Sequence, residues 1–325
     1  MPANKSIRFS CIIPARDPRE KKLLELIESI RLQDFPQDEI EIIVSTQGDS
    51  EEAKAHGIRQ ATGDICVMLC ADNYFVDPKT FSTVDQIGGV HAVYSKHYAY
   101  LRKDLFLNRY FALLGANDPI PWFLGKADRK SYIDYDENQV MDIHLNNRES
   151  YGCNGWFAPR SLLLEADLDH YYPMDAWEDL RLKGYNVFAR LSPYLWHRTS
   201  DNNLIKFLMR RYKYARDLYC DRRDRRWKVI ESPRDYVRLA WFVVVSLTFI
   251  QPLMVSLQGY TRIRDFAWFW HPFVLFGFTI MYGVLVCRNI LKSLLSFPRW
   301  VGGKVSMLAL NLSIRKRTKT TKTSS

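Results

Sequence analysis

The sequence predicts an α/β fold: a mostly parallel sheet covered by helices, followed by apolar helices of membrane length. Three observations predict it. Over the first hundred residues, short apolar runs alternate with amphipathic stretches, the pattern of successive strand–helix units. One run, Gly63-Asp64-Ile65-Cys66-Val67-Met68-Leu69-Cys70-Ala71-Asp72-Asn73, ends abruptly in a carboxylate and an amide. A buried strand ends this way when it delivers an acid to the carboxyl edge of a sheet, where α/β proteins place ligands. Finally, Leu239 to Tyr260 and Phe266 to Cys287 are each 22 residues without an Asp, Glu, Lys or Arg, enough to cross about 30 Å of hydrocarbon.

Taken in order, Phe9 to Pro14 reads as a strand stopped by proline. Lys21 to Gln33 carries Leu23, Leu24, Leu26, Ile27, Ile30 and Leu32 at helical spacing. Glu39 to Ser45 reads as a strand, Glu51 to Thr62 as a helix ended by Gly63, and Ile65 to Cys70 as a strand. Phe75 to Gln86 reads as a short helix and Gly89 to Ser95 as a fourth strand, completing an α/β layer of nucleotide-binding type. Residues 100–150 are polar and aromatic around Asn117-Asp118-Pro119-Ile120-Pro121-Trp122, an excursion over the active face suited to acceptor binding. Arg160 to Ala166 and Ala176 to Lys183 read as helices, Asn186 to Leu191 as a strand, and Leu204 to Arg222 as a long basic helix.

The two uncharged stretches, joined by Thr261 to Asp265, read as a membrane hairpin with a kink at Gln251-Pro252. Basic residues before the first and after the second put both ends in the cytosol, with the preceding domain. Two buried helices of a soluble core are the alternative. Asn289 to Ile314 mixes apolar residues with Lys292, Arg299 and Lys304 and reads as an interfacial helix or re-entrant piece. The organisation expected is a catalytic domain over 1–230, a membrane region over 231–314 and a disordered basic tail over 315–325.

Composition narrows the partners. The 325 residues are 47% hydrophobic, which supplies a core, and carry a net charge of +10. The excess gathers at Arg210, Arg211, Arg222, Arg223, Arg225, Arg226 and Lys228, and again at Arg315-Lys316-Arg317, beside the apolar stretches. That favours a membrane surface over nucleic acid, and no zinc finger or RNA-binding signature is present. The six cysteines form no C-x-x-C pair, so neither a zinc site nor a disulfide framework is suggested, and the usage fits a reducing cytosol. The polar stretch Met1 to Ser10 does not read as a signal peptide.

Asp72 is the candidate metal ligand, because a hard oxygen at a strand end suits Mg²⁺ or Mn²⁺. Asn73 would assist it; an Asp-Asn turn is the bland alternative. Asp179, beside Glu178 in Trp177-Glu178-Asp179-Leu180-Arg181-Leu182, is the candidate general base, expected at the start of its helix. Capping of that turn is the alternative. His197, after Leu195-Trp196, would complete a metal site or touch phosphate, or serve a structural role. Arg210 and Arg211 would hold a diphosphate, or form a plain juxtamembrane patch.

The order of these motifs resembles a family 2 glycosyltransferase of the GT-A fold, over roughly residues 8–220. Cys11-Ile12-Ile13-Pro14-Ala15-Arg16-Asp17 looks like that family's first strand and nucleotide-contacting turn. Ala53-Lys54-Ala55-His56-Gly57 through Gly63-Asp64 looks like its A-R-N-x-G-x-x-x-A-x-G-E helix, and Leu69 to Asn73 falls on its D-x-D segment. Asn154-Gly155 resembles the acceptor-side loop, with Trp156 beside it, and Trp177-Glu178-Asp179 the E-D motif. Cys70 replaces the first Asp of D-x-D, Lys54 and Ala55 replace Arg and Asn, and Thr46 stands where an acid is usual, with Asp49 as the candidate substitute.

The resemblance implies an inverting, Mg²⁺- or Mn²⁺-dependent transfer of sugar from a nucleotide-sugar to a membrane-held acceptor, such as a polyprenyl-phosphate or lipid-linked glycan. Pro14, Ala15, Arg16, Asp17, Thr46, Asp49, Lys54, Ala71, Asp72, Arg210 and Arg211 would line the donor. Asn154, Gly155 and Trp156 would face the acceptor, and Asp72, Asn73 and His197 the metal. A processive polysaccharide synthase is the runner-up; its usual Q-x-x-R-W segment is not evident, since Arg299-Trp300 follows the hairpin. A catalytically lapsed membrane scaffold is the non-enzymatic alternative.

Overall fold

The computed structural model describes residues 6–137, 139–145, 149–151, 154–199, 202–217 and 225–294. The opening elements are β1 (Phe9–Pro14), α1 (Lys21–Arg31), β2 (Ile40–Ser45), α2 (Ser50–Gln60) and β3 (Ile65–Met68). β1 is buried along its whole length, which is why it reads as an unbroken apolar run and not as an alternation. α2 starts on a capping box: Asp49 accepts from the amides of Glu51 and Glu52, and Glu52 returns a bond to the Asp49 amide.

Next come β4 (Asn73–Phe75), α3 (Thr80–Asp85), β5 (Ala92–Ser95), α4 (Phe106–Leu114), α5 (Pro119–Phe123) and β6 (Met141–Leu145). The expected helix over 75–86 is thus shorter, and Phe75 belongs to a strand. β7 (Trp156–Pro159), α6 (Arg160–Leu163), α7 (Pro173–Leu182), β8 (Val187–Leu191), β9 (Leu195–His197) and α8 (Leu204–Ala215) follow.

The main sheet has the order β2-β1-β3-β7-β5-β8-β6, and β4 pairs with β9 in a separate ribbon. β1 is parallel to β2 and β3, and β5 to β8; β7 and β6 run the other way. The carboxyl ends of β1, β2, β3, β5 and β8 therefore share one edge with the amino end of β7. Alternate residues feed two cores. Phe9, Cys11, Ile13 and Val67 pack under α1 and α3 with Leu23, Leu26 and Phe81. Ile12, Met68, Tyr94 and Trp156 pack under α2, α6 and α7 with Ile58, Leu163 and Trp177.

The chain forms two compact units, Met1–Phe207 with Asp224–Phe278, and Leu208–Arg223 with Thr279–Ser325. α9 (Pro233–Thr248), α10 (Ile250–Arg262) and the first turns of α11 (Phe266–Leu294) belong with the sheet. The segment 100–135, expected over an acceptor, is their dock. Lys126 Nζ lies 2.8 Å from Asp235 Oδ2, and Arg238 donates to the Leu124 carbonyl at 2.9 Å. Arg109 makes two bonds to Asp265, at 2.8 and 3.2 Å, and the Tyr100 hydroxyl donates to it at 2.5 Å.

The expected two-span hairpin takes a different form. α9 and α10 meet at 83°, and the break sits at Phe249, whose φ is 62°, rather than at Gln251-Pro252. Pro252 lies in the first turn of α10, where a missing N–H costs nothing. Among the described residues only α11 alone is long and apolar enough to cross a membrane; the bent pair adds at most one more. Asn289 to Leu294 continues α11, while the remainder of the expected interfacial helix and the tail lie outside the described residues.

His97, just past β5, is fully buried; burial lowers its pKa to about 4, against the Lys130 carbonyl 2.8 Å from Nδ1, which raises it. The folded value lies below the ordinary 6.5, so the unfolded chain binds the extra proton. The stability contribution is complete above pH 6.5 and is lost as pH falls toward 4. His97→Gln is expected to remove up to roughly 3 kcal/mol of that pH-dependent loss, read by denaturant titrations across the window.

Candidate functional site

β3 ends at Met68, and the chain leaves the sheet edge through Leu69 to reach Asp72. Asn73 is fully buried, and its Oδ1 accepts from the Cys70 amide at 2.8 Å. Its side chain closes the turn, so the expected metal-ligating role passes away from it. The β4–β9 ribbon sets Asn73 opposite His197, and the Arg198 amide donates to the Asp72 carbonyl at 3.0 Å. This register brings His197 Nε2 to 3.3 Å from Asp72 Oδ1.

A buried polar chain runs into this pair. Arg129, with no side-chain exposure, pairs with Asp128 at 2.7 Å and directs Nη1 to the Tyr98 hydroxyl at 3.3 Å. That hydroxyl donates to Asn154 Oδ1 at 3.3 Å, which orients the amide so that Nδ2 lies 3.1 Å from His197 Nε2 and 3.3 Å from Nδ1. Asn117 Nδ2 approaches the same Nδ1 at 3.2 Å. The two amides hold the ring in place against Asp72.

The other expected donor residues scatter in role. Pro14 and Ala15 are buried where β1 ends, the Ala15 amide bonded to the Ser45 carbonyl at 3.0 Å. Arg16, Asp17 and Thr46 are exposed at that edge, and Ala71 is half-buried beside Asp72. Asp49, the candidate substitute acid, is the cap of α2. Lys54 is 2% exposed, its ammonium 3.2 Å from Glu51, which is no position for reaching a nucleotide. Arg210 and Arg211 belong to the second compact unit, and Arg211 lies over the Tyr214 ring at 5.0 Å.

The acceptor-side trio is structural. Trp156 is 1% exposed, stacked on Tyr94 and edge-on to Trp177 at 5.2 Å. Asn154 is spent on Tyr98 and His197. Gly155 has φ 62°, and a Cβ there would stand 1.9 Å from Leu195 Cδ2. It is glycine for backbone and packing reasons.

α7 differs from its expected form by one turn. It begins at Pro173, so Asp175, not Asp179, occupies its first turn. Because α7 feeds β8, its carboxyl end lies where β8 starts, and its amino end points to the edge that carries Asp72. Asp175 is 2% exposed, bonded to Arg225 Nε at 2.6 Å and to the Trp227 amide at 2.9 Å. Asp179, a turn deeper, pairs with Arg226 Nε at 2.8 Å; burial raises its pKa, against the lowering by Arg226. Glu178 pairs with Arg181 through bonds of 2.9 and 2.8 Å. The sequence carries this contact in the dipeptide Arg226-Trp227, ahead of the apolar stretches; Arg299-Trp300, which follows them, lies outside the described residues.

Among the described residues no three His, Cys, Asp or Glu side chains gather as a metal cage. Asp72 with His197 offers one carboxylate and one imidazole. That set fits Mg²⁺ or Mn²⁺ whose remaining positions are filled by phosphate oxygens and water.

No protein-family profile matches the chain, and no curated protein matches it. Among solved structures, it is similar to S. aureus TarS 1-349 in complex with UDP, at 13% identity and TM-score 0.40 over 85% of this chain and 90% of that one. The TarS complex with UDP-GlcNAc is similar at 14% identity and TM-score 0.40, over 79% and 80%. Mannosyltransferase PcManGT from Pyrobaculum calidifontis, in complex with GDP-Man and Mn²⁺, is similar at 16% identity and TM-score 0.43, over 88% of each chain.

Gly155→Ala is expected to destabilise the fold by about 2–4 kcal/mol, from the left-handed φ and the clash with Leu195. A thermal melt of the purified chain measures it; an unchanged midpoint would contradict the role given to this glycine.

Proposed function

We propose that the chain is a glycosyltransferase of family 2-like, GT-A type, moving a sugar with inversion from a nucleotide-sugar to a membrane-held acceptor such as a polyprenyl-phosphate or lipid-linked glycan. The observation that carries this reading is Asp72, delivered by a buried strand to the sheet edge and pinned there by His197. The exposed Arg16, Asp17 and Thr46 and the amino end of α7 lie toward the same edge, which supports a shared donor and acceptor pocket on the cytoplasmic side of a membrane.

In this reading Asp72 and His197 hold a Mg²⁺ or Mn²⁺ ion, which, when bound, neutralises charge on the departing diphosphate. Asp179 takes the proton of the acceptor hydroxyl. The hydroxyl oxygen bonds to the anomeric carbon while that carbon's bond to the diphosphate oxygen breaks, and the electron pair leaves with the nucleoside diphosphate. Burial raises the basicity of Asp179 and Arg226 restrains it. Asp175 is the other carboxylate of α7 within range of this role. Arg223, not Gln, stands three residues before Arg226, so the Arg226-Trp227 pair does not complete the segment usual in a processive synthase, the runner-up reading.

The test screens the full chain in detergent against nucleotide-sugars with Mn²⁺, reading thermal shift and nucleoside diphosphate release. No release from any donor would leave the lapsed scaffold as the reading. Asp179→Asn is expected to lose turnover by about 10²–10⁴-fold with donor binding intact. Loss confined to Asp175→Asn would move the base one turn up the helix. Asp72→Ala is expected to lose Mn²⁺-dependent donor binding by calorimetry, and an unchanged isotherm would remove it from the metal site.

A further inference from the structure

We propose that α9 and α10 form a wedge that dips into one leaflet of a bilayer and returns, with both ends on the side of the catalytic sheet. The proposal rests on the membrane part of the preceding reading and not on its chemistry.

Length comes first. α9 has 16 residues and α10 has 13, so each reaches about 24 and 20 Å along its axis, short of about 30 Å of hydrocarbon. They meet at 83°, so the second arm does not continue the first across a membrane.

The ends are fixed by covalent neighbours and ion pairs. At the entry, Asp235 is held by Lys126 and Arg238 by the Leu124 carbonyl. At the exit, Asp265 is held by Arg109 and Tyr100, and the Arg264 carbonyl accepts from Arg102 at 2.9 Å. All of these partners lie on the segment that carries α4 and α5. The link Ile263–Asp265 therefore stays with the sheet and does not form a turn on the far side of a membrane.

The surface between those ends suits lipid. Trp241, Val244, Leu247, Ile250, Met254 and Leu257 are exposed, and no charged residue occurs from Leu239 to Thr261. Arg234 and Arg238 stand before that stretch and Arg262 and Arg264 after it, at the level where anionic headgroups attract cations. Two serine hydroxyls within it bond internally: Ser246 donates to the Phe242 carbonyl at 2.6 Å, and the Ser256 hydroxyl lies 3.0 and 2.9 Å from the Pro252 and Trp268 carbonyls. Hydrocarbon requires that self-sufficiency.

The experiment uses the full chain with single added cysteines at exposed positions, each read as the increment over the parent chain with its own exposed Cys287. In inside-out vesicles from the expressing cells, an impermeant maleimide is expected to label Thr261→Cys to the same extent as Lys103→Cys. Labelling of one with protection of the other overturns the proposal, because the pair would then lie on opposite sides. In vesicles of phosphatidylcholine and phosphatidylglycerol, a fluorophore on Met254→Cys is expected to be quenched most by nitroxides about 5–10 Å below the headgroups. Quenching by aqueous iodide, or none by lipid nitroxides, overturns it, since the wedge would then face water or another copy of the chain. Neither readout needs donor or turnover, so an inactive chain still answers the question.

Discussion

The imidazole of His197 is where four otherwise separate segments meet: the β9 strand, the turn after β3, the bend before β7 and the loop before α5. Asp72 lies beside Nε2, Asn117 beside Nδ1, and the Asn154 amide within 3.3 Å of Nδ1 and 3.1 Å of Nε2. Each such bond contributes only about 1 kcal/mol net, yet leaving a buried amide or imidazole without a partner costs about 1–3 kcal/mol. The arrangement is therefore held by mutual need more than by any strong contact. The order extends outward, since Arg129 directs a donor to the Tyr98 hydroxyl, Tyr98 orients Asn154, and Asn154 holds the ring. A carboxylate at a strand end is mobile by default; this chain of donors gives it one address.

α7 shows a second constraint of the same kind. Asp175 and Asp179 lie on one face of the helix, a turn apart, and the segment after residue 224 brings Arg225 and Arg226 against them in matching order. Neither carboxylate is left as an isolated buried charge, which would be costly. The Trp227 amide adds a bond to Asp175, and the Trp227 ring is buried. The segment leading to α9 is thus part of the wall behind the candidate base and not a tether.

Much of the α/β layer was legible in the chain. β1, β2, α1 and α2 stand within about two residues of their expected bounds, because continuous apolar runs, a proline stop and a helix cap are local signals. The misses have physical causes. β6 alternates with its apolar residues outward, Met141, Ile143 and Leu145 being exposed, so its pattern carried no inward face. β7 is four residues long and begins after a glycine of positive φ, a context read as a loop. For the site, Asp72 and His197 were expected at one metal, and the β4–β9 pairing, which the sequence did not show, is what sets them side by side. Asp179 was expected to open α7, but Pro173 after Tyr172 marks the true start, which shifts the functional face by a turn. The bend at Phe249 had no sequence sign at all, since a non-glycine in the left-handed region is set by its surroundings, while Pro252 drew attention three residues late.

The ion pairs between the 100–135 segment and the helices after residue 230 bear on how this protein could be dissected. A chain cut after Trp227 would retain every strand, yet it would strip the counter-charges from Arg109 and Lys126, whose side chains are largely hidden from solvent. It would also uncover Tyr110, now covered by His271. The sheet and the helices α9 and α10 therefore depend on one another, and removing those helices to gain solubility would leave buried cations without their counter-charges.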